Sequence, residues 1–176
     1  MELTKKQKTI KYFCYCLIIL LADILQNTDG LFPEIFGARC FLLLPTAIIL
    51  AMGEEFFAGA LIGLFAGLLW DLSGAVHLGF NCIFITIMCF IASALVAYIT
   101  RDTFITNMLS SAVTIVLYCL IYWLCFIVIR GVEGGEMTLF TFYIPCAVYT
   151  MALSPLLWLI LRPTKTKLNH RTNQDF

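Results

Sequence analysis

The sequence predicts an all-α membrane protein, a single bundle of six transmembrane helices. Three observations predict it. First, 61% of the 176 residues are hydrophobic and 12% are charged, against roughly 25% charged in ordinary soluble domains. A small soluble fold leaves too much of its surface in water to hide such a composition. Second, the apolar residues are gathered into long runs separated by short polar breaks. Third, basic residues cluster beside the first run and after the last.

The runs extend over Ile10 to Asn27, Cys40 to Met52, Phe56 to Trp70, Phe80 to Ile99, Met108 to Ile129 and Phe140 to Leu161. Crossing about 30 Å of hydrocarbon takes roughly 20 helical residues. The first, fourth, fifth and sixth runs reach that length, and the second and third are short. Two readings of the short pair are open. They are thin or tilted spans that draw Glu54 and Glu55 to the interface, or they form a re-entrant hairpin held by the surrounding helices. Two spans is the preferred reading, because the second can begin earlier, near Ile35. The first run follows a basic segment as a signal peptide would. Asp23, Gln26, Asn27 and Asp29 come after it without a small-x-small cleavage site, so it reads as an uncleaved span.

Orientation follows from Lys5, Lys6, Lys8 and Lys11 at one end and Arg162, Lys165, Lys167 and Arg171 at the other. Basic residues accumulate on the cytoplasmic side, so both termini are expected there, with an even number of crossings. Six spans satisfy this, and so do four spans plus a hairpin. Arg101 then falls inside, Arg39 and Arg130 outside. Residues 1–163 form one transmembrane domain, and residues 164–176 are expected to be a short, disordered cytoplasmic tail. The glycine-rich segment from Arg130 to Thr138 reads as a flexible outer loop.

Composition narrows the chemistry. Net charge is zero, so nothing suggests nucleic acid. The eight cysteines lie mostly in apolar runs without paired spacing, and read as small packing residues rather than a disulfide framework or a metal site. The two histidines, His77 and His170, fall in an outer loop and the tail. No GxSxG, HExxH or phosphate-binding loop occurs. The expectation is a chain with no catalytic residues, cofactor or metal.

One stretch carries more information. Gly59, Gly63, Gly67 and Asp71 recur every four residues, along one face of a helix. Side-chain-free positions let a neighbouring backbone approach closely, which drives helix association in lipid. The stripe suits another helix of this chain or a partner. Ser73, Gly74 and Gly79 follow, with His77 among them. They read as a turn that fixes the third helix against the fourth, Asp71 bonding to turn amides or to a partner, or as a surface carboxylate beside a glycine-rich loop. Asn107, Ser110, Ser111 and Thr114 form a polar stripe on the fifth span. Asp23 reads as a counter-charge for Arg39 or an interfacial carboxylate. Pro145 and Pro155 should bend the sixth helix, with Ser154 placed to satisfy a freed group.

The segment Gly63-Leu64-Phe65-Ala66-Gly67-Leu68-Leu69-Trp70-Asp71-Leu72, then Ser73-Gly74 and Leu78-Gly79, resembles the bacterial rod shape-determining MreD family. That family's pattern is G-x-x-x-G-x-x-x-D-L, a Gly/Ser turn, L-G and a long apolar helix. The match covers about a tenth of the chain, and the remainder agrees in hydropathy. One departure is Gly37-Ala38-Arg39 before the second helix, with Pro45 inside the run. The resemblance implies a fold similar to the substrate-binding subunits of energy-coupling-factor vitamin transporters. It implies a scaffold role in the cell-elongation complex of a bacterial plasma membrane, supporting peptidoglycan synthesis and cell shape. It implies binding to the transmembrane anchor of MreC and, through it, association with RodA, a penicillin-binding transpeptidase and MreB. The Gly59, Gly63, Gly67 face with Asp71 is expected to form the docking groove or its support. The alternative is a vitamin-binding transporter subunit, with Asp71, Asn81, Trp70 and Tyr143 as candidate pocket residues.

Overall fold

A computed structural model of the chain describes residues 5–28, 40–74, 77–129, 131 and 135–170. The elements are α1 (Lys5–Asn27), α2 (Leu43–Ala51), α3 (Phe56–Gly74), α4 (Phe80–Tyr98), α5 (Phe104–Trp123), α6 (Gly135–Thr138) and α7 (Ile144–His170). Widened π-helical turns extend α5 over Leu124–Val128 and precede α7 over Leu139–Tyr143. Among the described residues, five helical stretches are long and apolar enough to cross a membrane: Lys6–Asn27, Phe56–Gly74, Phe80–Tyr98, Phe104–Val128 and Leu139–Leu168. Their outer faces carry Phe13, Leu61, Leu72, Ile83, Ile105 and Leu159, all more than half exposed. Lipid is the solvent that such faces need.

The short element is α2. Its nine residues are all buried, enclosed by α1, α3, α4, α5 and α7. At 1.5 Å per residue it is only about 13.5 Å long, so its ends lie inside protein. A helix end leaves backbone groups unpaired, which at membrane depth must be met by protein. Other helices supply the partners. At the start, Leu43 N–H donates to Gln26 Oε1 of α1 (2.9 Å) and Phe41 N–H to Thr150 Oγ1 of α7 (3.0 Å). Pro45 sits in the first turn, where its missing N–H costs little. At the finish, Ser93 Oγ of α4 donates to Ala51 O (2.9 Å). Lys165 Nζ of α7 donates to Ile49 O (3.0 Å), to Met52 O and to Asp102 Oδ2 (2.7 Å). A cation at a helix C-terminus also complements the helix dipole. Gly53 then turns the chain with φ +83°.

These contacts fix the run of the chain. α2 begins beside Gln26, near the end of α1, and its following turn lies beside Lys11, near the start of α1. Lys11 Nζ meets Glu54 Oε1 at 2.6 Å, both side chains buried, and Tyr15 OH donates to the same oxygen (3.1 Å). Lys165 and the α4–α5 turn at Asp102 lie at this same end. α3 then returns, bringing Ser73 to Asp23 (2.5 Å). The turn at Gly53 therefore sits level with the α4–α5 turn rather than half-way along the bundle.

Four expectations need correction. The third run is not short: α3 has 19 residues and continues through Asp71 to Gly74. The helix outlasts its apolar run because the Asp71 carboxylate and the Ser73 hydroxyl are engaged within the bundle. Residues 164–170 are helical, because Lys165 anchors α7 to α2; residues 171–176 lie outside the described residues. Glu54 lies at the end of the bundle but is buried there against Lys11 rather than open to water, while Glu55 is exposed. Ser154 Oγ bonds to Thr150 O (2.9 Å), not to the Met151 carbonyl four residues before Pro155. At Pro145 the preceding π turn supplies the adjustment, widening the helix where the ring would press on the Thr141 carbonyl. Arg39 and Arg130, and most of the segment read as the outer loop, lie outside the described residues.

Lys165→Met should leave two buried carbonyls without donors. Thermal unfolding in detergent should show a loss of about 2 kcal/mol. Lys167→Met, two residues on and exposed, should change little.

Candidate helix-packing site at the glycine stripe

The glycine stripe faces α4 of the same chain. A side-chain carbon built at Gly59 would fall 1.9 Å from Ser93 Oγ; at Gly63, 2.7 Å from Ile85 O and 2.8 Å from Cys89 Cβ; at Gly67, 2.5 Å from Cys82 Cα. Two of these collisions are with backbone, which cannot rotate away. α3 and α4 thus approach more closely than any side chain allows, the geometry small-xxx-small patterns produce in lipid. Of the expectations for this face, a docking groove or its support, the groove is occupied by the chain's own fourth helix and the supporting role stays open.

Asp71 ends the stripe at the start of α4. It is buried, and its Oδ2 accepts from Gly79 N–H (2.9 Å) and Cys82 N–H (3.0 Å). The carboxylate therefore caps the α4 N-terminus from a different helix. It meets two otherwise unpaired N–H groups and places a negative charge at the positive end of the helix dipole. Asp71 Oδ1 is buried with no hydrogen-bond partner among the described residues.

The turn residues divide their work. Gly74 (φ +140°) and Gly79 (φ +91°) have open space where a Cβ would stand, so backbone conformation, not crowding, requires glycine there. Ser73 points away from the turn, toward Asp23 of α1, and also meets Leu69 O (2.8 Å). His77 stacks on Phe126 of the widened turn after α5 (3.7 Å between ring centres). Asp23 also accepts from Asn27 Nδ2 (3.1 Å).

Beside Asp71 the bundle is filled with rings. Trp70 stacks on Tyr118 (5.2 Å), and Phe41, Phe80 and Phe84 pack against the same tyrosine. Tyr118 OH donates to Asn81 Oδ1 (2.8 Å), both side chains buried. Of the candidate pocket residues, Asp71 is thus engaged with the start of α4, Asn81 and Trp70 with Tyr118 of α5, and Tyr143 is buried beside Tyr122. All eight cysteines are free thiols. No His, Cys, Asp and Glu cluster fit for a metal occurs among the described residues.

Sequence reasoning missed several residues that hold this arrangement. Cys82, Thr86, Cys89 and Ser93 form the complementary small stripe on α4, at spacings of four, three and four, and that signal was readable. Lys165, Asp102 and the Lys11–Glu54 pair join residues far apart in sequence, which no local pattern reveals. On the outside, α1 and α3 enclose an apolar groove of about 340 Å³ lined by Tyr12, Tyr15, Cys16, Ile19, Ala58, Leu61, Ile62 and Phe65.

No family model, curated protein or solved structure matches the chain.

Asp71→Ala should destabilise the bundle by about 1–2 kcal/mol, the usual cost of removing a cap. Asp71→Asn keeps an acceptor and should cost less. Equal losses in chemical unfolding of the two variants would contradict the capping role.

Proposed function

We propose that this chain is an integral-membrane scaffold of the MreD kind, seating the transmembrane anchor of MreC within the cell-elongation complex of a bacterial plasma membrane. The observation that carries this reading is the segment Gly63 to Gly79. Its resemblance to the family pattern coincides with a definite physical role, a glycine ladder closed by a carboxylate cap. On the basic-residue rule, the end bearing Lys11 and Lys165 is cytoplasmic. RodA, the transpeptidase and MreB are then reached through MreC.

The docking face moves from where the sequence put it. Because α4 covers the glycine stripe, the anchor's place is the outward groove between α1 and α3. That groove is apolar, and its long axis is set by two helices that both run the length of the bundle. A single transmembrane helix associates in lipid through packing into such a recess. The vitamin-subunit reading has less support, because Asp71 Oδ2 and Asn81 Oδ1 are already engaged by α4 amides and Tyr118.

Co-expression with full-length MreC and purification in detergent tests the proposal. Ala58→Trp and Leu61→Trp fill the groove and should lower co-purified MreC by about tenfold or more, the effect of losing a central contact. Leu159→Trp, similarly exposed but on α7, should leave it unchanged. Equal MreC with all three variants, or none with the unaltered chain, would refute the reading.

A further inference from the structure

A second cavity lies at the opposite side of the bundle, at the end marked by Lys165. It measures about 190 Å³ and is lined by Ile49, Asp102, Asn107, Trp158, Arg162, Lys165 and Thr166. That is below the roughly 300–1,000 Å³ of pockets for drug-sized molecules, so its occupant is small. Two cations, Arg162 and Lys165, stand against one carboxylate, Asp102. Lys165 has all three N–H groups committed, one of them to Asp102. Asp102 is further engaged by Asn107 Nδ2 (2.6 Å). Lys165 offsets the Asp102 charge, and the guanidinium of Arg162 is left to act on whatever enters. It lies 4.6 Å over the ring of Trp158, a geometry that orients the group by cation–π attraction while its N–H fork remains available.

The second observation is an orphan acceptor. Asn107 is 1% exposed. Its Nδ2 donates to Asp102 Oδ1 and to Thr103 O (2.9 Å), which fixes which end of the amide is oxygen. That Oδ1 has no hydrogen-bond partner among the described residues. A buried acceptor without a donor is costly. The cavity thus offers an anion-binding fork and a hydroxyl, Arg162 and Thr166, and is lined by Asn107, whose unmet acceptor is closed off until an occupant's donor draws it out.

We infer that this cavity binds a phosphoester bearing free hydroxyl groups. Arg162 and Thr166 take the phosphate, and Asn107 Oδ1 accepts from a hydroxyl. Glycerophosphate has that chemistry, either as the headgroup of phosphatidylglycerol or as a soluble ester. The site lies at a bundle end flanked by exposed Phe104 and Ile105 and by Trp158, a ring of the kind enriched at headgroup level, which favours the lipid. Basic recesses between transmembrane helices hold anionic headgroups by the same chemistry. The inference is independent of any protein partner.

The test uses the full chain in detergent, with phosphatidylglycerol, phosphatidylcholine and glycerol 1-phosphate as probes, and native mass spectrometry to read retained lipid. The unaltered chain should retain phosphatidylglycerol over phosphatidylcholine. Arg162→Gln should lower that retention by at least about tenfold, the size of a lost charge-assisted contact. Arg162 is exposed, so the variant should fold, as an unchanged Tm in lipid-free detergent would verify. Arg101→Gln, which removes a charge from the same end outside the cavity, should retain lipid normally. Displacement of the lipid by millimolar glycerol 1-phosphate would assign the same site to a soluble ester. Equal retention of the two lipids, equal retention by Arg162→Gln, or an equal loss in Arg101→Gln would overturn the inference.

Discussion

The structure depends on one constraint: a helix that ends inside the bundle has no water to satisfy its terminal backbone groups. α2 ends inside at both extremities, and its partners come from other helices. Gln26 and Thr150 receive its first N–H groups, and Ser93 and Lys165 donate to its last carbonyls. Each of these side chains is useful only if its own helix is correctly placed. α1, α4 and α7 are thereby held to a single arrangement around nine buried residues. Apolar packing alone would not choose that arrangement, since lipid tails are as apolar as leucine.

The α3–α4 pair obeys the same constraint. Asp71 caps α4 because the glycine ladder brings α4 within reach. The two devices are also linked. Ser93 Oγ occupies the space that a side chain at Gly59 would claim, and from there it donates to Ala51 O. The ladder's first position thus serves the cap of α2, and its last serves the cap of α4. Gly59 leaves room for the Ser93 bond and Gly67 for the approach of Cys82 to Asp71, while Gly63 lets the two backbones close between them.

Much of this was legible in the sequence. The long apolar runs gave α4 and α5 nearly in full and the membrane-spanning parts of α1 and α7, and the four-residue period of Gly59, Gly63, Gly67 and Asp71 named the face of closest approach. The turn glycines were found because positive φ leaves a compositional mark. The limits of α3 were misread, since Asp71 and Ser73 look like a boundary until their distant partners are known. Lys165 looked like part of a polar tail. Its role follows from a carbonyl pair more than a hundred residues away, and pairing of that kind is set by tertiary structure alone. The stripe's partner was open between a foreign helix and α4, although the small residues Cys82, Thr86, Cys89 and Ser93 were already in view.

The bundle presents apolar outer faces, with Phe13, Leu61, Ile83 and Leu159 among the exposed side chains. The central physical claim is that the glycine stripe is closed by the chain's own α4. The most direct measurement is the unfolding of the purified monomer in detergent, comparing Gly63→Val with Leu64→Val. The added carbons at Gly63 would strike the Ile85 carbonyl and Cys89 of the same chain, whereas Leu64 is an exposed position. The account predicts that Gly63→Val lowers the stability of the isolated monomer by about 1–3 kcal/mol and that Leu64→Val changes it little. Equal stability of the two monomers would contradict the account.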